Sequence, residues 1–276
     1  MKISFLQERA LLVRQKTFEM VMKAGRGHLG GSFSCTEILV CLYYGGILRY
    51  NPKNPQLKKR DRFVLSKGHA NNTLYVILAD LGFFSEKELG IFLQNGSILG
   101  GHSDPQVPGM EIVAGSLGHG LGVACGMALG FKLDKQDIKT YVLIGDGECQ
   151  EGSTWEAALF ASQHKLGKLI AILDRNRLGS EEFTEKTAGL EPLADKWKAF
   201  GWDVKSINGH SVSEVYKTLS RSRSRKSPRP LMIIANTIKG KGITYMENDP
   251  KSHHTMPQGE QIAWAHQDLY GDTTKI

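Results

Sequence analysis

Residues 143–152 read LIGDGECQEG, and this stretch decides the fold. Tyr141, Val142, Leu143 and Ile144 make an unbroken apolar run that predicts the end of a buried strand, and Gly145 and Gly147 let the backbone turn sharply around Asp146. Asp146 is therefore expected at the carboxyl end of a strand, where open α/β sheets hold their ligands. A second apolar run, LIAIL, leads into LDRNRLG and puts Asn176 in the same position on what would be a neighbouring parallel strand. A carboxylate, an amide oxygen and a nearby carbonyl such as that of Leu178 are hard ligands suited to Mg²⁺ or Ca²⁺. Asp and Asn are also ordinary turn residues, so these positions taken singly leave both readings open.

Working outward, strands are expected at RFVLS, YVLIG, LIAIL and LMIIANT, alternating with helices at Asn72–Leu81, Glu86–Leu93, Leu117–Leu133, Thr154–His164, Leu193–Phe200 and Val212–Ser222. That rhythm predicts an α/β fold, a central parallel sheet with helices on both faces. Toward the N-terminus an amphipathic helix ends at Gly25 and Gly27, GRGHLGGS reads as a loop, and Ser34–Tyr44 as a second helix. The long loop GGHSDPQVPGMEIVAGS suggests function, as loops of that length in compact domains usually do. In GSLGHGLGVACGMALG the glycines open a helix whose first N–H groups could bind an anion, although taken alone such a glycine-rich start more often serves close helix packing. No repeat or linker divides the chain, so residues 1–276 are read as one domain.

Composition narrows the class without naming a function. With 41% apolar and 23% charged residues in 276, the chain is an ordinary globular protein, and a net charge of +7 does not choose between small anions, nucleic acid and a soluble surface. Cys35, Cys41, Cys125 and Cys149 form no CxxC pair and read as buried free thiols of a reducing, cytoplasmic setting. Charges interrupt the apolar residues at the N-terminus, which excludes a signal peptide or membrane span there. The basic run RSRSRKSPRP, 221–230, raises nucleic-acid binding as a rival, but a solvated loop accounts for it more simply.

Taken together, GDGECQEGSTWEA with LDRNRLG resembles the thiamine diphosphate motif, GDG followed by an asparagine about thirty residues on. The chain from about residue 8 to 255 resembles the N-terminal part of transketolase, through KAGRGHLGGSFSCTEIL, RDRFVLSKGHANNTLY, PGMEIVAGSLGHGLGVACGMALG and TIKGKGITYMENDPKSHH in family order. The resemblance implies the thiamine diphosphate-binding fold, with Asp146, Asn176 and the Leu178 carbonyl holding Mg²⁺, or Ca²⁺ or Mn²⁺ in its place. It implies that Gly147, Ser116 and Leu117 lie along the cofactor, that His28, His69 and His102 line the substrate channel, and that His253 sits near the diphosphate, with the register open between His253 and His254. The Gly-His contexts GHL, GHA and GHS strengthen the case for a shared polar site in which His69 also reaches the cofactor. Glu148 would orient the loop beside the cofactor, and Glu151 and Glu156 would serve an interface or proton network or simply favour a helix N-terminus. Arg175, Arg177 and His119 depart from the family pattern.

The glutamate that activates the aminopyrimidine in this family belongs to a second, pyrimidine-binding domain, for which the residues after KSHH leave no room. The expectation is an N-terminal subunit of a split transketolase that forms a heterotetramer with a C-terminal subunit and transfers a two-carbon ketol unit between sugars. The alternatives are a decarboxylating thiamine enzyme, deoxyxylulose phosphate synthase-like or 2-oxoacid dehydrogenase-like, and a non-catalytic scaffold or nucleic-acid-binding protein.

Overall fold

Five short segments pair into one fully parallel sheet. In the computed structural model, which describes residues 2–271, these are β1 (Arg62–Leu65), β2 (Thr140–Gly145), β3 (Leu169–Arg175), β4 (Asp203–Asn208) and β5 (Leu231–Asn236), in the order β1-β2-β3-β5-β4. The register sets Gly145 beside Asp174 and Arg175 beside Asn236, so the chain leaves β2, β3 and β5 at a common edge.

Side chains alternate along each strand into two cores. Leu143, Ile172 and Ile233 join the core filled by α1 (Ile3–Ala24), α3 (Thr36–Tyr44), α4 (Asn71–Asp80) and α9 (Val212–Arg223). Val142, Ile144, Leu173 and Ile234 join the opposite core, filled by α5 (Gly120–Leu133), α6 (Gly152–Gln163) and α8 (Leu193–Ala199). Burial on both faces is why the central strands read as continuous apolar runs rather than alternating ones. No helix among the described residues is long and apolar enough to cross a membrane.

Several expectations need correction. The glycine-rich segment read as a loop contains a short helix, α2 (Leu29–Phe33), and its glycines serve close packing. A Cβ on Gly30 would stand 2.6 Å from the Ser252 carbonyl oxygen, and one on Gly31 would stand 2.9 Å from the His69 ring. Residues 86–91 wind as a 3-10 helix rather than an α-helix, and α5 begins at Gly120, not Leu117, because Gly118 adopts φ +84°. Strand β4 is half exposed at the sheet edge, so its sequence DVKSIN carried no apolar run to reveal it. The α-helical turn α7 (Thr184–Thr187) and the terminal helix α10 (Glu260–Tyr270) were also unforeseen. The latter is tied to α1 by Gln15 donating to the Leu269 carbonyl at 2.7 Å and Tyr270 donating to Glu19 at 2.8 Å.

Candidate active site

Asp146 and Asn176, each the first residue past its strand, line one cleft at the carboxyl edge of the sheet with Leu178, Gly147, His69 and His253. Asp146 is almost wholly buried. Its Oδ2 accepts from the Arg177 backbone N–H at 2.5 Å and from Arg175 Nη1 at 3.1 Å, and its Oδ1 accepts from the Gly147 N–H at 2.9 Å. Arg177 can reach Asp146 because it takes the left-handed φ of +66°, a conformation that costs a non-glycine residue roughly 1–2 kcal/mol. Burial, with Asp174 close by, pushes the Asp146 carboxyl up to about 6.

The asparagine is locked in orientation. Its Nδ2 donates to Asp174 at 3.1 Å and its Oδ1 accepts from the Leu178 N–H at 3.1 Å. Leu178 is buried, yet its carbonyl accepts no hydrogen bond from any described residue. A buried carbonyl without a donor is costly, and a hard cation would satisfy it. The carboxylate, the amide oxygen and this carbonyl therefore fit a divalent ion of the Mg²⁺ type.

Two residues of the cleft, Lys67 and Lys239, and the buried Asp174 behind it were missed in the sequence. Lys67 is fully buried and donates to Asp174 and, at 2.9 Å, to the Gly31 carbonyl. Burial alone would raise the Asp174 carboxyl, but Lys67, Ser34 and Thr237 together hold it below the usual range. Lys239, just past β5, donates to the Gly179 carbonyl and lies 2.8 Å from His253 Nδ1, with no acid as partner among the described residues. Burial, reinforced by Lys67, lowers its ammonium to about 8. The legible signal was a cation directly after an apolar strand, in SKGH and in TIKG.

His28 is the hub of a histidine group. Its ring centroid lies 5.7 Å from that of His69, 5.8 Å from His102, 5.4 Å from His253 and 5.1 Å from His254. His253 is buried and lines the cleft, whereas His254 is exposed and stands beside it. Burial, with His254 and His102 nearby, lowers His28 to about 4, and burial with Lys239 lowers His253 to about 2. Burial and Lys67 hold His69 well below the ordinary imidazole range. These rings are therefore neutral at neutral pH, and with Nδ1 of His253 facing the Lys239 ammonium its proton sits on Nε2.

A pH dependence follows. The unfolded chain takes up protons on these imidazoles near 6.5, while the folded chain resists doing so until about 4 at His28. Between those values the unfolded state binds more protons, so stability is full above 6.5 and falls on acidification. Urea midpoints measured from about pH 7 to about 4.5 should decline, and less steeply in His28→Gln; a midpoint that rises as pH falls would contradict this.

The glycine-rich helix start departs from expectation. Glu148 accepts from the Gly118 N–H at 3.0 Å, from the Gly145 N–H at 2.8 Å and from the Ser66 hydroxyl, and Ser66 in turn accepts from the Gly120 N–H at 3.1 Å. Two donors at the opening of α5 are thus already satisfied within the chain, and Glu148 fastens β1, β2 and the GSLG loop together. Leu117 lines the cleft, whereas Ser116 is exposed and does not. Glu151 and Glu156 are exposed and lie outside the cleft, Glu151 against Gly118. Glycines 122, 126 and 130 of α5 face open space rather than a neighbouring helix. Arg175 is buried and joins Asp146 to Thr184 at 2.7 Å, Glu185 at 2.7 Å and Glu191 at 3.0 Å. All four cysteines are buried and free.

A parallel sheet that gathers a carboxylate, an amide and a lysine without an acidic partner at its carboxyl edge has the layout of an α/β domain that binds a phosphate cofactor. Residues 7–275 match the family described as transketolase, thiamine diphosphate binding domain, and the chain belongs to that family. It is 46% identical over 261 residues to a subunit of the apulose-4-phosphate transketolase of Phocaeicola vulgatus, covering 95% of this chain and 92% of that one. A 6-deoxy-6-sulfo-D-fructose transketolase subunit of a Clostridium species is 42% identical over 250 residues, 90% of each chain. The solved transketolase of Campylobacter jejuni superposes with a TM-score of 0.92 at 37% identity, over 100% of this chain but 44% of that enzyme. The chain thus spans nearly the whole of the subunits it resembles and less than half of the longer transketolase.

Proposed function

We propose that this chain is the diphosphate-binding subunit of a two-component, thiamine diphosphate-dependent transketolase. It works with a C-terminal subunit carrying the pyrimidine-binding domain, and moves a two-carbon ketol unit from a ketose donor to an aldehyde acceptor. The observation that carries this reading is the convergence of Asp146, Asn176 and the donorless Leu178 carbonyl on a cleft bordered by the histidine group. Those three residues would hold Mg²⁺, and Lys239 would face the cofactor diphosphate. When bound, thiamine diphosphate supplies the carbon nucleophile.

The chain's own residues account for binding and orientation. Gly147 and Leu117 border the cleft and leave the backbone close to whatever enters it. The cleft encloses about 40 Å³, room for an ion and its nearest oxygens, so the rest of the cofactor would lie against the partner. His253 offers an Nε2–H donor, and His28, His69 and His102 stand where they can hydrogen-bond donor hydroxyls and pass a proton between them. Assembly is supported by the apolar strip that α5 and α6 turn outward, including Val123, Leu133, Leu159 and Phe160, which suits a heterotetramer with Glu151 and Glu156 close to the interface. The four free thiols support a reducing, cytoplasmic setting. The names of the two subunit relatives, one a phosphate and one a sulfo sugar, support a donor with an anionic group.

His28→Ala and His102→Ala test the assignment of roles. Each assembled variant should keep thiamine diphosphate affinity and lose roughly a hundredfold in single-turnover ketol transfer. Loss of cofactor binding in both would remove these histidines from the substrate channel.

A further inference from the structure

The basic segment 221–230 does not take part in the site at the carboxyl edge. Its residues Arg223, Arg225 and Lys226 border a cavity of about 560 Å³ at the amino edge of the sheet, under the starts of β2 and β3, where Lys139 and Lys168 stand. Eight of the fifteen residues lining that cavity are Lys or Arg, and Asp137 is the sole carboxylate among them. The cations come from separate connections of the fold, so tertiary structure gathers a charge density that no single stretch of sequence carries.

Lys139 is the decisive residue. It is 8% exposed, lines the cavity and makes no hydrogen bond or ion pair through its side chain with any described residue. Burial depresses its ammonium, Lys168 and Arg223 add to the effect, and Asp137 and Asp61 oppose it. Its neighbours are held in place: Arg223 by Asp61 at 2.8 Å and the Ile47 carbonyl, Arg225 by Asp203 and the Gly167 carbonyl. An ammonium with no bonding partner, set among other cations on the cavity wall, is repelled by them until an anion joins it.

We propose that this cavity binds a small polyanion, recognised through two or more phosphate groups. Its volume lies in the range of small-molecule sites. No aromatic side chain lines it, so nothing offers a face on which a nucleobase could stack. The deep position of Lys139 favours a compact phosphate group over the extended backbone of a nucleic acid. This inference is independent of the ketol-transfer reading, since the two sites lie at opposite ends of the strands.

The test is calorimetric titration of inorganic triphosphate into the full chain in Mg²⁺-free buffer, which leaves the carboxyl-edge site without its ion. Wild type should bind one triphosphate per chain, more weakly as salt rises. Lys139→Gln should weaken binding about tenfold or more, equivalent to about 1.4 kcal/mol. Lys135→Gln with Lys226→Gln, at exposed positions whose side chains make no bonds, should do the same without risk to folding. Unchanged affinity in that double variant, the absence of saturable binding, or tighter binding of single-stranded RNA than of triphosphate would each overturn the proposal.

Discussion

Asp146→Ala should lower the affinity of the assembled enzyme for thiamine diphosphate by roughly a thousandfold at limiting Mg²⁺, or about 4 kcal/mol. The carboxylate is the only charged group among the three oxygens that converge on the cleft, so its loss removes most of the attraction for a divalent ion. The variant should still fold. Arg175, its ion-pair partner, retains Thr184, Glu185 and Glu191, so no buried charge is stranded. Asn176→Ala should give a smaller loss, because it deletes a neutral ligand. Calorimetry across a Mg²⁺ series makes the measurement, and an Asp146→Ala complex that binds the cofactor as tightly as wild type would contradict the ligand assignment.

The central strands were legible because burial on both faces leaves an unmistakable apolar run, as in YVLIG and LIAIL. The edge strand β4 was not, since half of its side chains meet solvent and its pattern resembles a loop. Glycine misled in two ways. In GRGHLGGS it signalled a loop where Gly30 and Gly31 instead allow α2 to approach Ser252 and His69. In GSLGHG it suggested free N–H groups that Ser66 and Glu148, distant in sequence, already occupy.

The site was legible where one residue type marks one chemistry. Asp146 and Asn176 stood directly after strands, and the three Gly-His pairs pointed to residues that the fold gathers around a shared ring, His28, at 5.7 and 5.8 Å. Lys67, Asp174 and Lys239 were harder to see, because a buried ion pair and a depressed lysine depend on which strand ends are neighbours. Arg175 was visible only as a departure from the family pattern, and its role emerged from the partners it gathers: an aspartate at the cleft and two glutamates of the segment beyond β3.

The second large effect concerns the partner. In the proposed reading the groups facing the cofactor would hold an ion, a diphosphate and donor hydroxyls, and none of those named, all among the described residues, is assigned to activate the aminopyrimidine. A glutamate from a second subunit is the expected source, and burial of the apolar strip on α5 and α6 would accompany assembly. The deciding measurement is ketol transfer from a ketose phosphate or sulfo ketose, followed by mass spectrometry, with this chain alone and after addition of the C-terminal subunit. The account predicts no transfer above background from the chain alone and turnover that saturates as the partner is added, without release of carbon dioxide from a 2-oxoacid. Full activity from the purified chain by itself, or decarboxylation as the reaction of the assembled pair, would contradict it.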